Sequence, residues 1–134
     1  MSGEDERSWR VGYADDYRFL DDEHEEMGAM LAAMKREQSA VETPVLRSLA
    51  VRFLTALKEH SRNEEKVMKQ CEFGDYELHK AYHDHVLGAL EIILAHFDRH
   101  SMPTYRDQIT RHLENKLSEE TLLDRSLATF LAAN

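Results

Sequence analysis

Two short stretches carry side chains at a spacing that suits metal ligation. "HSRNE" sets His60 and Glu64 four residues apart, and "HKAYH" sets His79 and His83 at the same interval. On a helix, four residues bring two side chains onto one face, one turn apart, close enough to share a metal ion. "FLDDEHEEM" adds His24, on the same face as Leu20, Met27 and Leu31. "SEETLLD" adds Asp124, with Glu119 or Glu120 about one turn before it. Glu120 and Asp124 fall on the alternating four-and-three spacing of Leu113, Leu117, Leu127 and Leu131, so a leucine-lined face carries acids. Burying three carboxylates and four imidazoles in an apolar interior costs several kcal/mol per uncompensated charge. Two divalent cations would turn that penalty into coordination energy. Imidazole and carboxylate both suit iron, and no thiolate is on offer.

Long helices must bring these residues to one level. Glycine and proline are scarce, 5 and 2, and no run has the strict two-residue alternation of a strand. The first helix is expected from about Tyr17 to Gln38, with Leu20, Met27, Leu31 and Met34 on one side. Ser39 to Glu42 make a polar connection. Thr43 then reads as an N-cap with Pro44 at the first helical position, where its missing N–H costs nothing. The second helix runs to about Gln70 with Leu46, Leu49, Phe53 and Leu57 in phase, and "CEFGD" ends it at Gly74. The third, from about Asp75 to Arg99, carries Leu78, Tyr82, Leu87, Leu90, Leu94 and Phe97. The fourth follows Ser101-Met102 and continues from about Pro103 to Ala132. Short connections between long amphipathic helices predict an all-α fold, an up-down-up-down antiparallel four-helix bundle over residues 17–134. Residues 1–16 form an N-terminal arm, whose Trp9 and tyrosines are expected to cover part of the bundle.

The bulk composition narrows the partners. A chain of 134 residues, 42% hydrophobic and 32% charged, reads as one globular domain with room for a core. A formal net charge of −9 leaves no basic stripe for nucleic acid or an anionic membrane. No apolar run approaches the ~18 residues of a membrane span. "MSGEDERSW" is acidic and lacks the basic start and apolar stretch of a signal peptide, so the expected compartment is the cytoplasm. Cys71 is the single cysteine and excludes an internal disulfide framework; it falls in the loop between the second and third helices. Of the remaining histidines, His85 points to another face from His83. His96, His100 and His112 lie near helix ends or away from the cluster.

In order and spacing these elements resemble the hemerythrin family, specifically its bacterial single-domain branch, the bacteriohemerythrins. The resemblance spans nearly the whole chain. A Trp-containing arm precedes "LDDEH", "HSRNE" matches the family's His-x3-Glu element, and "HKAYH" its His-x3-His element. It implies a non-haem di-iron centre, oxo- or hydroxo-bridged. His24 and His60 would be terminal ligands of one iron and His79 and His83 of the other, with Glu64 and Asp124 as bridges. The family's last element is His-x4-Asp, which puts its histidine at position 119, where this chain has Glu119. Family register therefore selects Glu119 as the fourth-helix ligand, whereas periodicity alone selects Glu120. Around that position the family favours bulky apolar residues that keep the oxygen pocket dry, and this chain has Asn115, Lys116 and Glu120.

Hemerythrins bind dioxygen reversibly, without haem, at an iron left five-coordinate. An anion in place of one neutral donor favours the ferric state and lowers the reduction potential. The implied function is binding of, sensing of, or reaction with dioxygen or another small oxidant such as peroxide, with peroxidase-like or ferroxidase-like turnover gaining over carriage. A second reading, from a different class, is a non-catalytic metal- or redox-responsive interaction module. Either would use a separate redox or signalling protein as partner. Iron storage is disfavoured, because one such bundle encloses no cavity for a mineral.

Overall fold

The apolar periodicity of this chain produces four helices and, among the described residues, no strand. The computed structural model describes residues 8–37, 43–100 and 103–133. A short 3-10 turn at Asp15–Tyr17 leads into α1 (Arg18–Glu37), followed by α2 (Thr43–Gln70), α3 (Tyr76–His100) and α4 (Pro103–Ala133). Each helix packs on its sequence neighbour, and α1 also packs against α4. Cross-helix pairs run in opposite order along neighbouring helices. Glu65 of α2 meets His83 of α3 while Lys58 meets Glu91, and His24 of α1 meets Asp124 of α4 while Lys35 meets Glu114. This is the antiparallel four-helix bundle that the patterning predicts. The diagonal pair α2 and α4 also touch. The polar connection from Ser39 to Glu42 lies outside the described residues, as do the side chains of Thr43, Pro44, His96, Phe97 and His100.

The interior is two apolar cores with a polar layer between them. One core gathers Met27, Leu31 and Met34 of α1, Phe53 and Leu57 of α2, Val86 and Leu90 of α3, and Leu113 and Leu117 of α4. The other gathers Leu20, Val67, Met68, Phe73, Leu127 and Leu131. On every helix the candidate ligands occupy the interval between, or next to, these sets. The apolar stripes thus set the rotation of each helix, and the ligands inherit it.

On α3 the stripe differs from expectation by one residue. Leu78 is 69% exposed, and the inward line is His79, His83, Val86, Leu90 and Leu94. The histidines take core positions that a search for leucines passes over.

The end of α2 also differs in detail. Phe73 N–H reaches back to the Met68 carbonyl at 2.9 Å, and Glu72 N–H to that of Lys69 at 3.3 Å. This pattern places one residue in left-handed backbone. That residue is Glu72, with φ 56°, rather than Gly74. Phe73 and Met68 meet in the same apolar core, which fixes where α3 begins.

The arm is tied down by main-chain donors. Val11, Gly12 and Tyr13 each donate their N–H to the Asp21 carboxylate, at 2.6, 3.1 and 2.9 Å. Gly12 has φ 96°, a conformation that lets consecutive N–H groups converge on one anion. Trp9 donates its backbone N–H to Glu25 at 2.8 Å and lays its indole over Gly28. Trp9 and Tyr13 are both buried.

Candidate metal centre

Four helices deliver one or two ligand-type side chains each to the polar layer. Buried there are His24 of α1, His60 and Glu64 of α2, His79 and His83 of α3, and Glu120 and Asp124 of α4. They form two groups that share Asp124. One comprises His24, His60 and Asp124; the other comprises Glu64, His79, His83, Glu120 and Asp124.

The carboxylates divide their oxygens between the groups. Asp124 Oδ2 lies 2.7 Å from His24 Nε2 and 3.2 Å from His60 Nε2, while Oδ1 lies 3.0 Å from His79 Nε2. Glu64 Oε1 lies 2.7 Å from His79 Nε2 and 2.9 Å from His83 Nε2, and Oε2 faces His60 Nε2 at 3.8 Å. All four imidazoles turn Nε2 inward.

Three of their outer nitrogens are held from behind. Glu23 sits 2.8 Å from His60 Nδ1 and is itself fixed by Asn63 at 2.6 Å. Glu65 sits 2.9 Å from His83 Nδ1, and the Thr121 hydroxyl 3.4 Å from His24 Nδ1. A carboxylate on Nδ1–H fixes the tautomer that leaves Nε2 free to bind a metal, and it raises the basicity of that nitrogen. His79 Nδ1 is buried without a partner.

A metal-free cluster leaves polar atoms stranded. His83 Nε2 and Glu120 Oε1 are 2.8 Å apart, a contact that pairs only while the imidazole carries a proton there, and among the described residues Glu120 Oε2 has no partner. Buried orphans of this kind are costly. Atoms that converge and pair only through a proton are arranged as ligands of a common cation, so the donor set fits a metal. Imidazole and carboxylate without thiolate suit several first-row divalent metals, iron among them.

The electrostatics of the metal-free chain agree. Burial alone would lower the histidines, but the acids beside them win. Asp124 and Glu23 push His60 up to about 10, and Asp124 and Glu64 push His79 up to about 9. Glu120 and Glu64 push His83 up to about 11. Burial, with Asp124 close by, raises Glu120 to about 7. Asp124 is held well below the usual carboxylate range, because the hydrogen bonds from His24, His60 and His79 outweigh its burial. Protons on imidazole thus occupy the place of cations.

Six of the seven expected ligands meet in this cluster: His24, His60, Glu64, His79, His83 and Asp124. Glu119 does not. Its side chain is 46% exposed, and its Oε1 accepts the Tyr82 hydroxyl at 2.7 Å and Lys116 Nζ at 3.4 Å. Glu120 takes the inward place. The reason is helical phase: five residues turn a helix about 140° away from Asp124, whereas four leave it about 40° off. Asn115 is exposed and Lys116 reaches exposed Glu119, so of the three polar neighbours Glu120 alone is buried. His85 and His112 are likewise exposed.

Tyr13, Glu23, Glu65 and Thr121 are contacts that the spacing motifs do not announce. Tyr13 donates its hydroxyl to Glu64 Oε2 from the arm. Burial, with Asp124 and Glu64 nearby, raises its phenol well above the ordinary value, so it stays a donor. Glu23 and Glu65 each adjoin a ligand in sequence, beside His24 and Glu64. Each nevertheless serves a histidine on another helix, which only packing reveals.

Comparison with protein-family models, with curated proteins and with solved structures gives no match to this chain. Among the described residues, no helix is long and apolar enough to cross a membrane.

Proposed function

We propose that this chain is a hemerythrin-like, non-haem di-iron protein that binds or reacts with dioxygen or another small oxidant. One observation carries the reading. Glu64 and Asp124 each turn one oxygen toward the His24–His60 pair and the other toward His79 and His83, as carboxylates bridging two cations would. The order of the motifs along four helices supports the same family.

Iron, when bound, supplies the redox equivalents for that chemistry. The chain supplies the rest. His24 and His60 would hold one ion, and His79, His83 and Glu120 the other, with Glu64 and Asp124 between them. Glu120 puts an anion on one half where the family has a neutral imidazole. Glu23 and Glu65 make His60 and His83 stronger donors. All three features favour the higher oxidation state, so the reading inclines to oxidant turnover over reversible carriage. Turnover would draw electrons from a separate redox protein. The apolar cores on both sides limit the water that reaches the layer.

Iron analysis combined with absorption spectra of the reduced and air-exposed protein tests this. The expected result is about two irons per chain and near-ultraviolet bands that appear with air and fade on reduction. A chain without iron after iron-replete expression, or one whose spectrum ignores oxidant, would sink the proposal.

A further inference from the structure

The Tyr13 hydroxyl donates to Glu64 Oε2, inside the buried cluster, from a segment that belongs to none of the four helices. The terminal torsion of a glutamate is broad and roughly two-fold, so an unrestrained carboxylate rotates easily. Glu64 Oε1 is gripped from the His79–His83 side at 2.7 and 2.9 Å, whereas among the described residues Oε2 has only His60 at 3.8 Å besides the phenol. The phenol is therefore what keeps Oε2 turned away from the His79–His83 side.

The arm is built to deliver that phenol. Three successive N–H groups of Val11, Gly12 and Tyr13 close on Asp21, which is itself buried. Trp9 anchors the other end against Gly28. These ties use Asp21, Glu25 and Gly28, none of which is a candidate ligand. Tyr13 thus enters the layer at a fixed height beside Glu64.

Resting on the two-metal reading of this cluster, we infer that Tyr13 is a positioning residue for the bridging carboxylate Glu64, and that the arm is part of the metal site. The His79–His83–Glu120 half has its own carboxylate and does not depend on the arm. The His24–His60 half has Asp124 and needs Glu64 Oε2 presented to it. Without the phenol, Glu64 is free to turn both oxygens toward the better-provided half. Tyr13 therefore governs the second metal equivalent and leaves the first alone.

The test is titration of the metal-free chain with cobalt(II) in the absence of air, followed by visible absorption and calorimetry. Wild type should take two equivalents. Tyr13→Phe should bind the first as wild type does and the second some 10- to 100-fold more weakly, the usual effect of losing a group that orients a ligand. Asp21→Ala, which frees the arm without altering Tyr13, should give the same selective loss. Unchanged far-ultraviolet circular dichroism would show both variants still helical. A Tyr13→Phe chain with two wild-type equivalents overturns the inference and leaves the metal reading standing. Equal weakening of both equivalents also overturns it, because the arm would then serve only the fold. An Asp21→Ala chain with both equivalents intact removes the arm's part. A wild-type chain that takes up no cobalt removes the metal reading and this inference together.

Discussion

Glu120 and Asp124 stand one turn apart on α4, both wholly buried, with Glu120 Oε1 against His83 Nε2 and Asp124 Oδ2 against His24 Nε2. One helix therefore reaches all three others, α3 through Glu120, and α1, α2 and α3 through Asp124. Its neighbour Glu119 meets no candidate ligand and instead accepts the Tyr82 hydroxyl of α3 near the surface.

Substitutions on α4 should separate these roles. Glu120→Gln should lose one of the two metal equivalents, with affinity down at least about 10-fold. Glu119→Ala should bind both within about twofold of wild type, since removing a surface hydrogen bond leaves the cluster untouched. Glu120→His replaces the anion by a neutral donor and should raise the reduction potential of the iron-loaded protein. Metal titration and a spectroelectrochemical midpoint check these outcomes; a lower potential for Glu120→His contradicts the charge argument.

Metal uptake should release protons. At pH 7 the metal-free chain keeps His60, His79 and His83 protonated, with values of about 10, 9 and 11. A ligating imidazole must give up the proton on Nε2, so about three protons should leave per chain, read from the dependence of calorimetric heat on buffer. Folding of the metal-free chain has the opposite pH dependence. Histidines raised above their unfolded value of about 6.5 stabilise the fold fully below that pH. That contribution is lost as pH rises through about 9 to 11. The metal-free melting temperature should therefore fall from pH 6.5 to 10 while metal affinity rises.

Gly28 tests the arm's docking. In a helix interior, alanine is ordinarily better than glycine by about 1 kcal/mol. Here an added Cβ would lie 2.8 Å from Trp9 Cγ and nearer still to Cδ1 and Nε1. The buried indole cannot yield cheaply, so overpacking wins and Gly28→Ala should cost roughly 1–3 kcal/mol. In a Trp9→Ala background the same change should stabilise. Thermal melts of the four proteins of this cycle decide it.

Glu72 is an opportunity for stabilisation. A side chain in left-handed backbone carries a penalty of roughly 1–2 kcal/mol that glycine avoids. Glu72, at φ 56°, is exposed and closes the end of α2. Glu72→Gly should raise stability by about 1 kcal/mol in chemical denaturation, without changing metal content. A loss of stability would mean that the Glu72 side chain supports the turn.

Much of the site was legible because helical spacing carries it. His60 with Glu64 and His79 with His83 lie four apart, so a correct helix assignment placed each pair on one face. Apolar stripes on α1 and α4 then gave the inward direction for His24 and Asp124. The fourth-helix acid shows the limit of family register. The family interval points to Glu119, but the leucine phase of this helix turns Glu120 inward. On α3 the reverse happened, because exposed Leu78 looked like core while His79 was core. Tyr13, Glu23 and Glu65 were hidden for a common reason. Their partners lie on other elements, 51, 37 and 18 residues away, at distances set by packing rather than by any local period.

Anomalous diffraction at the iron edge, from crystals of the iron-loaded chain, tests the central claim most directly. Two peaks are expected in the polar layer, one beside His24 and His60 and one beside His79, His83 and Glu120, with Glu64 and Asp124 reaching both. No peak there, a single peak, or Glu119 in place of Glu120 at the metal would contradict the account.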